Sequence, residues 1–298
     1  MKNILFTLSL LLYCSYAFCE NTNDSISKVV SFEYDSKMER TIILEAKIND
    51  SIRSRMILDT GWSGLFVPQR FLAKDVVENM AKEEEGVNVS IKVSIANKWE
   101  YTYPKDWTAA FDSTHIFNTV YGEDISIADW KIFQDKIIEI SFKDKTLREL
   151  EGSNIEAYLA QDYDSIKLKR EDNVRLGIPV TICIQGREVT EYLLLDTGSN
   201  GAISFNSNVA PRNEIDLENP MYEGASRTGM GNVRSVSLPI DFLSIGRYRL
   251  ENIETVAFYR EGQRQAPFSG LLWTSVLMNY KIILDLKGFY IYIKPEVY

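Results

Sequence analysis

Met56-Ile57-Leu58-Asp59-Thr60-Gly61 and Leu193-Leu194-Leu195-Asp196-Thr197-Gly198 are the two stretches that decide how this chain is read. Each places an acid, a threonine and a glycine behind three apolar residues. A continuous apolar run reads as a strand covered on both faces. A carboxylate at the end of such a strand is costly unless hydrogen bonds or a partner satisfy it. The glycine permits a tight turn and close backbone approach. The threonine hydroxyl can bond neighbouring backbone and fix the loop. A single Asp-Thr-Gly occurs by chance, whereas two in one register mark a repeat.

The register extends outward without a gap, with residues 46–61 aligning on residues 183–198. Both segments start as alternating strands and turn at hairpin signals, Asn49-Asp50 and Gln185-Gly186. The halves also end alike. Residues 130–147 and 277–292 each read as a short helix followed by two strands. Residues 151–164 are polar, contain Gly152-Ser153-Asn154, and are expected to be a linker. The division is therefore residues 26–150, a linker at 151–164, and residues 165–298. Alternation predicts further strands over residues 86–96 (Val87, Val89, Ile91, Val93 and Ile95 on one face), 234–242 and 247–258. Residues 66–85 are expected to be helical, with Glu83-Glu84-Glu85 as a solvated helix end. The expected fold is mainly β, in two lobes related by a pseudo-twofold axis.

Composition narrows the chemistry. The chain has 298 residues, 33 Lys and Arg against 42 Asp and Glu, and a net charge of −9. That charge repels a phosphate backbone, so no nucleic-acid partner is expected. An apolar fraction of 45% supports a packed core. The single histidine, His115, disfavours imidazole metal clusters and leaves one candidate base for a Ser/His or Cys/His mechanism. It reads as an ordinary surface or core residue. Lys2, the apolar run at residues 4–12 and the small residues after it describe a secretory signal over residues 1–19. Cleavage is expected after Ser15-Tyr16-Ala17 or Ala17-Phe18-Cys19. Bulky Tyr13 and Phe18 disfavour lipidation of Cys14 or Cys19. Removing the signal leaves Cys183 as the one thiol, with no intramolecular disulfide. Flanked by Ile182 and Ile184, it is expected to be a buried small hydrophobe. No later run is long enough to span a membrane.

The paired Asp59-Thr60-Gly61 and Asp196-Thr197-Gly198, with Trp62-Ser63-Gly64-Leu65-Phe66-Val67-Pro68 after the first, resemble the aspartic peptidases, both pepsin-like and retropepsin-like. The resemblance is to two lobes in one chain, of a secreted bacterial type. It implies the bilobal acid-protease β-barrel fold, with Asp59 and Asp196 brought together as the catalytic pair. Thr60 and Thr197 would bond across to the opposite loop, and Gly61, Gly198 and Ser199 would support the site. Two close carboxylates cannot both ionise, so one would act as base on a water and the other would protonate the scissile carbonyl. No metal and no cofactor is implied.

The resemblance also implies an apolar-apolar-Gly motif late in each half. Val120-Tyr121-Gly122 fits in the first. In the second, Gly270-Leu271-Leu272-Trp273 carries tryptophan where glycine is usual, and Trp273 is expected to crowd the loop. Ser199 could donate its hydroxyl to Asp196, whereas Trp62 has none to offer Asp59. Thr228-Gly229-Met230-Gly231-Asn232 is the candidate tip of a substrate-covering hairpin, with Ala96-Asn97-Lys98 as a weaker candidate in the first half. Trp99, Tyr101, Tyr103 and Trp107 are expected to be packing residues. The expected function is an exported aspartic endopeptidase acting on a peptide or protein, one chain sufficing for activity. The alternative is a catalytically silent relative binding a peptide or other ligand in the same cleft.

Overall fold

The computed structural model describes residues 28–33, 41–72, 90–111, 125–152, 155–171, 175–199, 201–228, 231–251, 253–260 and 267–296. The predicted signal, residues 73–85 of the helix predicted over 66–85, Val87, Val89, His115, Val120-Tyr121-Gly122, Gly229, Met230 and the Trp107 side chain lie outside them.

Among the described residues, three sheets make up the fold. A seven-stranded sheet from the first half runs in the order Trp99–Tyr103, Ile91–Ile95, Ile43–Ile48, Ile52–Leu58, Ile125–Ala128, Leu65–Pro68, Thr108–Phe111. The second half repeats that order as Tyr248–Leu250, Phe242–Ile245, Arg175–Ile184, Arg187–Asp196, Gly270–Trp273, Ile203–Phe205, Thr255–Tyr259. The strand senses repeat too. Ile52–Leu58 lies parallel to Ile125–Ala128, and Arg187–Asp196 lies parallel to Gly270–Trp273. The hairpin of Tyr222–Thr228 and Gly231–Pro239 extends the second sheet beyond the shared pattern. A mainly β, bilobal acid-protease-like fold results.

The third sheet joins the halves. Its order is Val29–Ser31, Thr146–Leu150, Ile137–Ser141, Tyr280–Asp285, Tyr290–Pro295, Asp164–Lys167. The seam is the antiparallel pair Ile140↔Ile282 and Ile138↔Leu284, so each half contributes three strands. One apolar core runs through both halves. Alternation builds it: in Arg175–Ile184 the residues Leu176, Ile178, Val180, Ile182 and Ile184 are all buried.

Some expectations need correction. Leu65–Pro68 is a strand rather than the start of a helix, because it lies between Ile125–Ala128 and Thr108–Phe111 and pairs with both. Residues 151–164 are more than a linker: they hold the helix Ile155–Leu159 and the first residue of Asp164–Lys167. The closing segments match at Trp130–Phe133 and Thr274–Leu277, so Trp130 corresponds to Thr274 and not to Leu277. Cys183 is not buried. It faces away from the core-directed Ile182 and Ile184, and its Sγ donates to Asp241 Oδ2 at 3.3 Å. Trp99 and Tyr103 are packing residues as expected, Trp99 lying edge-on to Phe133 at 4.9 Å.

Gly270 begins the strand beside the second Asp strand. A Cβ there would stand 1.9 Å from the Ser204 carbonyl oxygen and 2.9 Å from Phe205 Cα, both backbone atoms of the neighbouring strand. Gly270→Ala is expected to cost about 3 kcal/mol or more, read as a lowered midpoint in urea unfolding.

Candidate active site

Both Asp-Thr-Gly loops leave the ends of buried strands. Met56, Ile57 and Leu58 are almost fully buried, and the Asp59 N–H donates to the Ala128 carbonyl at 3.0 Å. The next residues meet the opposite loop. Thr60 Oγ1 donates to the Leu195 carbonyl at 2.7 Å, and Thr197 Oγ1 donates to the Leu58 carbonyl at 2.6 Å. In return, the Thr60 N–H donates to Thr197 Oγ1 at 3.2 Å, and the Thr197 N–H donates to Thr60 Oγ1 at 3.1 Å. Each hydroxyl both donates and accepts, as its chemistry allows. The exchange is reciprocal and obeys a twofold relation between the loops.

Asp59 and Asp196 are brought together, close enough that each alters the other's ionisation. The glycines set the approach. A Cβ on Gly61 would lie 2.9 Å from Asp196 Cγ, and one on Gly198 would lie 2.3 Å from Asp59 Oδ2. Asp59 and Asp196 are both half-buried. Asp59 Oδ1 accepts the N–H groups of Gly61 (2.7 Å) and Trp62 (3.2 Å). Asp196 Oδ1 accepts the Gly198 N–H at 3.0 Å.

Burial pushes the Asp196 carboxyl well above the usual range, and the neighbouring Asp59 charge pushes it further. Burial raises Asp59 too, against the opposing donors from Gly61, Asp196 and Trp62. Burial and mutual repulsion thus keep the two from ionising together. The pair titrates as one unit.

The loops differ at the residues that cradle them. Trp273 sits opposite Asp196 in the parallel register, and its indole Nε1 donates to Asp196 Oδ2 at 2.9 Å. The Ser199 hydroxyl does not take that role; the Ser199 carbonyl accepts the Thr274 N–H at 3.2 Å. Trp273 does not wedge the loop apart. The second loop is one residue longer than the first before its next strand, and Gly201 accommodates the ring. A Cβ at Gly201 would stand 1.7 Å from the indole.

In the first half the cradle is Ile127-Ala128-Asp129, since Leu58 pairs with Ala128 as Leu195 pairs with Leu272. Position 129 thus mirrors 273, whereas Val120-Tyr121-Gly122 precedes this strand and lies outside the described residues. Asp129 is fully buried. Its Oδ2 accepts the Gly64 N–H at 2.7 Å, and its Oδ1 accepts the Tyr103 hydroxyl at 2.9 Å and the Lys131 N–H at 3.0 Å. Burial raises its carboxyl, and its charge in turn raises Asp59. Sequence reading missed Asp129. The signal was present: an apolar strand ending in Asp129 before a short helix, as Gly270–Trp273 ends before Thr274–Leu277.

Of the remaining predicted residues, Gly231 pairs with Thr228 at the closed end of its hairpin. Ala96-Asn97-Lys98 forms a turn, Ala96 and Asn97 both having positive φ. Its contacts moor it to the body rather than leaving it as a free strap. Lys98 Nζ donates to the Val29 carbonyl at 2.6 Å, and Asn97 Oδ1 accepts from Lys47 Nζ at 3.1 Å.

The family described as aspartyl protease matches residues 178–274, which hold the second Asp loop and Trp273. The matched segment lies wholly in the second half of the chain. Two solved structures are similar to it. One is a retropepsin-like aspartic protease from Rickettsia conorii, 17% identical, covering 43% of this chain and 98% of its own, with a TM-score of 0.32. The other is Basic 7S globulin from soybean, 10% identical, covering 89% of this chain and 94% of its own, with a TM-score of 0.47. No curated protein matches the chain.

Tyr103→Phe removes one of the three donors to the buried Asp129 carboxylate. A loss of about 1.5–3 kcal/mol is expected, the usual size for a hydrogen bond to a charged group. Urea unfolding near neutral pH reads it. The loss should shrink on acidification through the raised Asp129 ionisation, because a neutral carboxyl needs the donor less.

Proposed function

We propose that the chain is an exported aspartic endopeptidase, with Asp59 and Asp196 as the catalytic pair. The observation that carries this is the pair of carboxyls brought together at the junction of two reciprocally bonded Asp-Thr-Gly loops. Their chemistry suits peptide hydrolysis. Ionised Asp59 takes a proton from a bound water as its oxygen attacks the scissile carbonyl carbon. Asp196 gives its proton to the carbonyl oxygen, forming a neutral tetrahedral diol. Asp59 then returns a proton to the amide nitrogen, the C–N bond breaks, and a diol proton goes back to Asp196 as the carbonyl re-forms. Acid, amine and the starting proton count result.

Thr60, Gly61, Thr197 and Gly198 hold this geometry, and one chain supplies both loops. The substrate would bind extended, by strand-like backbone bonding beside the hairpin of Tyr222–Thr228 and Gly231–Pro239. Gly229, Met230 and Gly231 would approach it at the tip. The apolar run and cleavage triplets of residues 1–19 support export. Among the described residues no helix is long and apolar enough to cross a membrane.

A diverse peptide mixture incubated from about pH 3 to about pH 8 tests the proposal. Cleavage is expected, falling about 10⁴-fold in Asp59→Asn and in Asp196→Asn. Absence of cleavage by the folded wild type overturns it and favours the ligand-binding alternative.

The pH profile is a second test. Asp59 must be ionised and Asp196 protonated, and both carboxyls are raised. Activity should therefore be lost on the acid side above pH 3.8, the ordinary aspartate value, and persist well above it. An optimum near about pH 2 would contradict this ordering.

A further inference from the structure

We infer that Trp273 is a positioning residue that fixes the Asp196 carboxyl through its indole N–H and brings the two aspartates closer to equal. The catalytic part of this inference rests on the peptidase reading above; the contact itself does not.

Three observations carry it. The donor is direct, at 2.9 Å from Nε1 to Asp196 Oδ2. Its direction is fixed. Asp196 and Trp273 are register partners on parallel strands, the Trp273 N–H bonds the Ala202 carbonyl at 3.0 Å, and the ring fills the space that Gly201 leaves free. A serine hydroxyl can rotate to another acceptor, whereas an indole N–H in a packed ring cannot. Finally, the mirror position carries the opposite chemistry. Asp129 is an acceptor turned to Gly64, Tyr103 and Lys131, and it presents negative charge to Asp59 where Trp273 presents a donor to Asp196.

These two substitutions of the usual glycine push in one sense. A donor favours the ionised form of Asp196, and a nearby charge disfavours the ionised form of Asp59. Both oppose the split set by burial and by the pair's own repulsion. They narrow the gap between the two carboxyls, which exchange proton roles during turnover. Among the described residues, the charged and titratable groups acting on the pair include the two aspartates themselves and Asp129, with Lys131 and Tyr103 acting on Asp129 in turn.

Carboxyl 13C NMR titration of the full chain tests this without needing cleavage. Trp273→Phe keeps an aromatic ring and removes the donor. The upper ionisation of the pair should rise by about one to two pH units. Gly201→Ala leaves residue 273 unchanged but drives the indole off its seat, and should reproduce the rise. Trp273→Gln, which can still donate, should largely restore the wild-type value. Thermal melts confirm that each variant is folded before titration. In activity assays the alkaline limb of kcat/KM should move upward with the titration in Trp273→Phe. An unmoved titration in the folded Phe and Ala variants overturns the inference and leaves Trp273 as a space filler, even if the wild type cleaves peptides. A shifted titration in a wild-type background that cleaves nothing upholds the positioning role and overturns only the peptidase reading.

Discussion

The exchange of hydrogen bonds between Thr60 and Thr197 is the constraint on which the site depends. Each side chain donates to a carbonyl at the end of the opposite Asp strand and accepts the opposite threonine's N–H. All four bonds are buried, where losing one leaves a polar group without water to replace it. No freedom remains for one loop to slide against the other. The carboxyls that follow from this placement repel when both are charged. Rigid backbone, rather than attraction between the acids, brings them together. Gly61 and Gly198 complete the approach because each faces the other loop's carboxyl with no side chain in between.

Around that symmetric centre the supporting residues are not symmetric. The first loop returns through Gly64, whose N–H bonds Asp129 and whose carbonyl accepts the Asp129 N–H. Tyr103 ties the same carboxylate to the strand Trp99–Tyr103. A buried charge with every oxygen engaged specifies one arrangement and penalises others. The second loop is one residue longer and closes over an aromatic ring instead, with Ser275 and Thr274 bonding back to Gly201 and Ser199. One half of the site is held by ionic hydrogen bonding, the other by packing and a single directed N–H.

Much of this was legible from sequence because the repeat carries its own register. Two apolar runs ending in Asp-Thr-Gly fix the buried strands, the pairing of the loops and the mainly β class. The hairpins at Asn49-Asp50 and Gln185-Gly186 followed from turn chemistry, and all four residues have positive φ. What escaped was non-local. Leu65–Pro68 is too short for a periodicity to declare itself, and its strand identity comes from neighbours distant in sequence. Cys183 sits in a strand whose alternation was visible, but its face was set by register with Phe242–Ile245. Asp129 was hidden because the expected motif calls for glycine, which Gly122 supplies in sequence. Trp273 was seen, but its ring was read as bulk; that its N–H could serve as a ligand to the carboxyl depended on an extra loop residue and on Gly201.

The sheet shared by both halves also governs when the molecule can become whole. Ile137–Ser141 is followed directly by its neighbour Thr146–Leu150, so one edge is covered as soon as it is made. Its other edge pairs with Tyr280–Asp285, near the far end of the chain. Asp164–Lys167 similarly finds its partner only in Tyr290–Pro295. Until the last strands exist, the first half presents a row of open backbone donors and acceptors along Ile137–Ser141, the kind of edge that recruits other chains. Closing it requires bridging about half the length of the polypeptide, which is slow. A nascent chain thus spends its synthesis with an adhesive border exposed, and a chain kept unfolded until complete avoids that hazard.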